Sequence, residues 1–410
     1  MANFLLPLAL SATGLFLLIR LRFFFILHPI KTANQIVKGL SDRESRRSLL
    51  LALAGTLGVG NIFGVAAGIM IGGAGAVFWI FFSSVFSAII KYSETLLAYD
   101  SRGKAAMAET VQGIFGCHAE RIYAVLTLAL ALLMGARMQA SAVLDVAVAG
   151  LKLNPIFIGI ILLILLLPCL LSGKDNTPKI TEILIPLTTI IYIIMCFCVI
   201  FANFSKLGHT INLIFASAFT PSSFLGGILP IALREGFSRG ILSNEAGIGS
   251  SATAHVRAGE RTPHEAGLFG MLEVFFDTTL LCTLSGIVIL TSVENISYYS
   301  TPMSLVTGAF VSSLGEWSGY ILTFLILSFA YATIICWYYY GLVYSEAYFR
   351  KIPFKPLFVL FLFLPIGTAF LLSVVDLVIF LMTMIVLPAI IKRTGRICDL
   401  SRMDLNKPDS

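Results

Sequence analysis

Residues 54–64 read Ala54-Gly-Thr-Leu-Gly-Val-Gly-Asn61-Ile-Phe-Gly64, four glycines and an asparagine set in the middle of an apolar run. Glycine in a helix interior costs about 1 kcal/mol against alanine, so this run predicts a weakened or broken helix. Backbone unwound at membrane depth is tolerated only where it is buried in protein or lines a wet cavity. The run 48–71 is therefore expected as two half-helices around a buried break. The half that starts near Val59 and Gly60 points unpaired N–H groups and a positive dipole end into the break, which suits a carboxylate. The half that ends near Ala54 and Leu57 exposes carbonyl oxygens, which suit a sodium ion. Close helix packing is the other common use of glycine in membranes. Packing is the better reading for Gly68, Gly72 and Gly73, and a binding site is the better reading for Gly58, Gly60 and Asn61 together.

Working outward, the whole chain is apolar. Of 410 residues, 58% are hydrophobic and 12% charged, with a mean hydropathy of +0.92. A soluble domain carries about 25% charged residues. Runs long enough to cross about 30 Å of hydrocarbon recur from end to end. The expected class is an all-α membrane protein with about eleven transmembrane helices, at 3–25, 48–71, 75–98, 121–149, 155–172, 179–203, 208–237, 265–290, 317–345, 355–372 and 374–391. The first run is followed by Arg20 and Arg22 rather than a cleavage site, and reads as a retained helix. The seven cysteines lie mostly in apolar runs (Cys169, Cys196, Cys198, Cys282, Cys336) and suit buried hydrophobes better than disulfides or zinc.

Orientation follows from Lys and Arg. Lys31, Lys38, Arg43, Arg46 and Arg47 fill one loop; Arg102, Lys104 and Arg121, then Lys174 and Lys179, then Arg239, Arg257 and Arg261, then Arg350, Lys351 and Lys355 follow on the same side. The opposite loops offer Lys152 and Lys206, and the long loop near 291–316 has no Lys or Arg. The N-terminus is thus expected outside and the C-terminus in the cytoplasm, in a bacterial inner membrane. Basic residues placed this way explain the net charge of +6 without a nucleic-acid partner.

A second interruption reads Phe219-Thr-Pro-Ser-Ser-Phe-Leu-Gly-Gly227, where Pro221 lacks an N–H and the glycines allow close approach. Two broken segments in corresponding places of two five-helix halves point to an inverted-repeat transporter with a midplane site. A membrane-embedded enzyme is disfavoured. The five histidines are scattered, His264-Glu265 lacks the second histidine of a metalloprotease helix, and neither a Gly-x-Ser-x-Gly nor a Walker loop is present. A transporter-like sensor or channel is the third class.

Three stretches carry a family resemblance: GTLGVGNIFGVAAGIMIGGAGAVFW from Gly55 to Trp79, RGILSNEAGIGSSATAH from Arg239 to His255, and VFFDTTLLCTLSG from Val274 to Gly286. With Ala218, Phe219, Pro221, Gly226 and Gly227 they make the chain resemble the alanine or glycine:cation (sodium:alanine) symporters from about residue 48 to 345. The resemblance implies a leucine-transporter-type core of five plus five inverted helices with one extra N-terminal helix. The divisions are then 1–47 for that helix and a basic loop, 48–203 and 204–393 for the two repeats, and 394–410 for a cytoplasmic tail. It also implies a small neutral amino acid as substrate, sodium as coupling ion, and no other cofactor. Carried over residue by residue, Gly58, Val59, Gly60, Asn61, Gln139, Phe219, Gly226 and Trp337 would bind substrate. The carbonyls of Ala54 and Leu57 with Thr333 would hold sodium. An interfacial belt residue for Trp337 and an interhelical hydrogen bond for Gln139 are what the residues alone suggest.

This sequence departs from the family in two places that bear on coupling. Ala332-Thr333 stands where the family has Ser-Thr, and Gly135-Ala-Arg-Met-Gln139 carries a charge where the family has none. Arg137 within a span needs a partner or water, and Glu273, or Asp277 one turn on, is the expected partner. Contact between Arg137 and substrate is the alternative, as is proton coupling in place of sodium. Asn244, Glu245 and Gly247 are expected at an inner gate far from the midplane, and Glu94 and Asp145 in the bundle interior.

Overall fold

In hydrocarbon a backbone must satisfy its own hydrogen bonds, and helices do so within one segment. The computed structural model describes residues 2–101, 105, 107–151, 154–172, 177–219, 231–256 and 262–405, and among these every regular element is a helix. In chain order the longer ones are α1 (Ala2–Arg20), α2 (Pro29–Leu40), α3 (Arg43–Thr56), α4 (Gly60–Gly72), α5 (Gly75–Ser101), α6 (Met107–Phe115), α7 (Cys117–Val148), α8 (Pro155–Ser172) and α9 (Thr177–Ala202). There follow α10 (Phe204–Ala218), α11 (Ile231–Asn244), α12 (Pro263–Ser292), α13 (Pro302–Leu314), α14 (Glu316–Tyr348), α15 (Phe354–Phe363), α16 (Thr368–Lys392) and α17 (Thr394–Leu405).

Six of these (α5, α7, α9, α12, α14 and α16) are long and apolar enough to cross a membrane, and α3 with α4 makes a seventh span bent by 50°. The chain is an all-α, multi-pass membrane protein. Small residues let the helices meet closely. A Cβ on Gly267 or Gly270 of α12 would lie 2.7 Å from Tyr92 or 2.6 Å from Thr95 on α5, and one on Gly135 of α7 would lie 2.1 Å from the Trp337 Cβ on α14.

Three expectations from hydropathy are corrected. The run 208–237 is not one helix: α10 ends at Ala218, residues 220–230 lie outside the described residues, and α11 starts at Ile231. α10 packs across the bundle end where α5 begins and α12 finishes, with the Trp79 indole N–H donating to Ala218 O (3.2 Å) and Lys206 paired with Glu294 (3.0 Å). The region 291–316, read as a loop, holds α13, started by a Thr301–Ser304 capping box and buried through Leu305 and Phe310. The run 355–372 yields only the ten residues of α15, about 15 Å of helix at 1.5 Å per residue. Pro365 forces Leu364 into extended backbone, and the chain restarts in α16.

Candidate functional site

The break quoted first exists, and its geometry follows from where the backbone N–H groups go. α3 stops at Thr56, and Leu57 leaves the helix at ψ 70°. The Gly58 N–H donates to Thr56 O (2.7 Å) and Asn61 Oδ1 (3.1 Å), and the Val59 N–H to Gln139 Oε1 (3.4 Å). A continued helix would have sent these donors to the carbonyls of Ala54 and Gly55. Those oxygens are thereby released at the end of α3, the terminus that carries partial negative charge.

Gln139 from α7 and Thr333 from α14 close over the break. An added Cβ on Gly58 would lie 2.8 Å from Thr333 Oγ1 and 3.4 Å from Gln139 Oε1. The Thr333 hydroxyl donates back to Phe329 O (2.9 Å), which leaves its lone pairs facing the break. Ala54, Leu57, Asn61, Gln139 and Thr333 are all buried. Trp337, one turn beyond Thr333, is fully buried against Gly135 and Tyr340, and among the described residues its indole N–H has no hydrogen-bond partner. That placement excludes the interfacial-belt reading for Trp337.

Wide π turns recur at this level. They open α4 at Gly60–Gly64, occupy Ala131–Met138 just before Gln139, and occupy Phe275–Cys282 around Asp277. Such insertions are frequent at functional sites, because they re-aim side chains without ending a helix.

Opposite the first break lies another, at residues 245–251; the interruption read at 219–227 lies, apart from Phe219, outside the described residues. α11 ends at Asn244. Glu245 (φ 56°), Gly247 (φ 89°) and Gly249 (φ 73°) then take left-handed backbone before a single helical turn at Ala252–His255. This unwound stretch is buried throughout. A Cβ on Gly60 would stand 3.8 Å from Leu242 O, so the two breaks face each other. Asp277 ties them together, receiving hydrogen bonds from the Asn61 amide, the Ser243 hydroxyl (2.8 Å) and the Thr278 hydroxyl (2.7 Å). Asn244 donates to Thr278 Oγ1 (3.0 Å) and accepts from the Ala246 N–H (3.0 Å), and Glu245 accepts from Ser250. Asn244 thus sits one residue from the contact with the first break rather than remote from it. Asn244 was named from the sequence, but the break after it was not, since a Ser-Asn-Glu run reads as loop on any hydropathy scale.

Other expected placements change as well. Phe219 packs edge-on against Phe78 (5.0 Å) and Trp79 (5.6 Å) at the start of α5, and its ring is half exposed, so it contributes to α10's packing. Gly226, Gly227 and Pro221 lie outside the described residues. Arg239, counted with the basic loops, lies within α11, its stem on Gly64 and Gly68 and its guanidinium on Glu235 (3.1 Å).

Arg137 does not pair with Glu273, and no ion pair to Arg137 is formed among the described residues. Arg137 is half-buried, and Asp145, two turns on, is exposed rather than interior. Glu273 instead meets Lys91 (3.8 Å), His255 (3.0 Å) and Ser251 (3.0 Å), all fully buried. Lys91 escaped the sequence reading, although a lone lysine inside an apolar span was the signal that could have found it.

The sequence matches the Sodium:alanine symporter family over residues 1–402. It is 31% identical over 365 residues to the uncharacterized transporter YflA of Bacillus subtilis, covering 84% of this chain and 77% of the relative. It is 30% identical over 355 residues to the sodium/alanine symporter AgcS of Methanococcus maripaludis, with 81% and 78% covered. The probable sodium/glutamine symporter GlnT of Bacillus subtilis is 29% identical over 360 residues, with 82% and 73% covered.

Proposed function

Because this chain belongs to the sodium:alanine symporter family, we propose that it imports a small neutral amino acid such as alanine or glycine with sodium, by alternating access. Membership in a transporter family, with relatives named as transporters and symporters, makes the protein a cation-coupled amino-acid transporter and not an enzyme. The observation that supports the finer reading is the pair of facing breaks joined through Asn61, Asp277 and Ser243, with Gln139 and Thr333 closing over the first.

In this reading the N–H groups of Val59, just before α4, and of Gly60 and Asn61 in its first turn take the substrate carboxylate. Gln139 releases the Val59 N–H as substrate arrives. Trp337 bounds the pocket and keeps it small. Sodium sits between the carbonyls of Ala54 and Leu57 and the Thr333 hydroxyl, oxygen donors that suit a hard monovalent cation. The eleven-span, five-plus-five arrangement, with halves at 48–203 and 204–393 and the C-terminus in the cytoplasm, belongs to the same proposal. Within it, 231–256 rather than 208–237 supplies the second broken helix.

Uptake of radiolabelled alanine into proteoliposomes, with and without an inward sodium gradient, tests it. Accumulation only with the gradient supports the proposal, and accumulation indifferent to sodium sinks the sodium step. Competition by glycine and glutamine then sorts substrate size, glutamine being the substrate named for GlnT. One observation favours a second reading, in which coupling is to protons or lost: Ala332 is fully buried beside Thr333 and supplies no hydroxyl. Binding of alanine without gradient-driven accumulation is its signature.

A further inference from the structure

The segment after α11 is held in place by side chains rather than by its own backbone. From Glu245 to Ser251 the chain has three left-handed residues, and few of its amides bond within the segment. Fixed points come from α5 and α12. The Gly247 N–H donates to Glu94 Oε1 (2.6 Å). The Lys91 ammonium donates to Ser251 Oγ (2.9 Å) and stands 3.8 Å from Glu273 Oε1. Ser251 donates to Glu273 Oε2 (3.0 Å), which also meets His255 Nε2 (3.0 Å).

Lys91, Glu94, Ser251, His255 and Glu273 are all fully buried, so these contacts are unscreened by water. α5 and α12 are themselves seamed by Gly267 and Gly270, with Gly270's missing Cβ only 3.0 Å from Lys91 O. They form a stiff pair, while the segment they grip is the polar, irregular continuation of the second broken helix. Elements that move in a functional cycle come from such low-stability segments.

We propose that Lys91 and Glu94 are positioning residues of the transport cycle. They latch residues 245–255 onto the α5–α12 pair, so that the bundle end carrying α2 and α17 stays shut until the latch is released. The role in the cycle rests on the alternating-access reading above; the latch itself can be tested without any substrate. Lys91 is its hub, because it joins α5 to Ser251 on the moving segment and to Glu273 on α12.

The test is hydrogen–deuterium exchange read by mass spectrometry on the full chain in lipid nanodiscs, without sodium or amino acid. Wild type, Lys91→Met, Glu94→Ala and Lys91→Arg are compared. A charged hydrogen bond lost from a buried site corresponds to about a tenfold change in an opening equilibrium, or more. Exchange in 245–255 is therefore expected to rise about tenfold in Lys91→Met and in Glu94→Ala, with 117–148 and 263–292 unchanged. Lys91→Arg, which keeps the cation, is expected to return most of the protection. If Lys91→Met yields no folded protein, Glu94→Ala carries the test alone. Unchanged exchange at 245–255 in a folded variant overturns the proposal, and so does a rise spread evenly over all helices. The readout needs no transport, so failure of alanine uptake and failure of the latch are separate results.

Discussion

Gly58→Ala measures whether the Thr333 hydroxyl stands over the first break. The added Cβ would lie 2.8 Å from Thr333 Oγ1, well inside ordinary contact. Gly58 is not among the left-handed glycines, so space alone decides the effect. Relief requires Thr333 to turn from Phe329 O, which costs about 1 kcal/mol, or a backbone shift costing about 1–3 kcal/mol. Alanine also restricts the unfolded chain, which returns about 0.4–1 kcal/mol. These terms nearly offset, so the single variant says little. A double-mutant cycle isolates the contact. Thr333→Ala removes the oxygen that is struck and leaves the unfolded-state term untouched. Gly58→Ala with Thr333→Ala should therefore be about 1 kcal/mol or more stabler than the sum of the singles. Equilibrium unfolding of the purified protein by SDS in mixed micelles reads this coupling. Additivity within about 0.5 kcal/mol would falsify the placement of Thr333 over Gly58.

Gly135→Ala drives a Cβ to 2.1 Å from the Trp337 Cβ, an atom close to the backbone that cannot swing aside; a loss of about 3 kcal/mol, seen as loss of the monodisperse peak in gel filtration, is expected, and a normal peak refutes the α7–α14 packing. Asp277→Ala strips partners from Asn61, Ser243 and Thr278 at once, so it should lose about 3 kcal/mol in the same unfolding assay, with Asp277→Asn losing less. Glu273→Gly leaves Lys91 buried without its counter-charge, at a cost of about 3–5 kcal/mol. Adding Arg137→Met is expected to rescue nothing and adding Lys91→Met to rescue part, and the reverse pattern would restore the Arg137–Glu273 pair. In proteoliposomes, Thr333→Ala should raise the sodium concentration needed for half-maximal alanine uptake about tenfold, the equivalent of one hydrogen-bond-sized ligand contact; an unchanged sodium dependence removes Thr333 from the ion's path.

The class of this protein and its first break could be read from the chain alone, because both rest on local composition. Eighteen apolar residues in a row have one stable way to exist, and four glycines around Asn61 weaken any helix wherever it sits. Gln139 and Thr333 were legible only through the family resemblance, since a glutamine and a threonine in apolar runs have many uses. The break at 245–251 was not read from the chain for a physical reason: Asn244 and Glu245 look like loop residues until Thr278 and Ser250 satisfy them. The partner of Glu273 was likewise misread, as Arg137. Arg137 and Lys91 are both cations in apolar spans, and only the close approach of α5 to α12 chose Lys91. Sequence by itself determined what must leave water. Tertiary structure decided which buried polar group meets which, because that choice depends on distances between segments far apart in the chain.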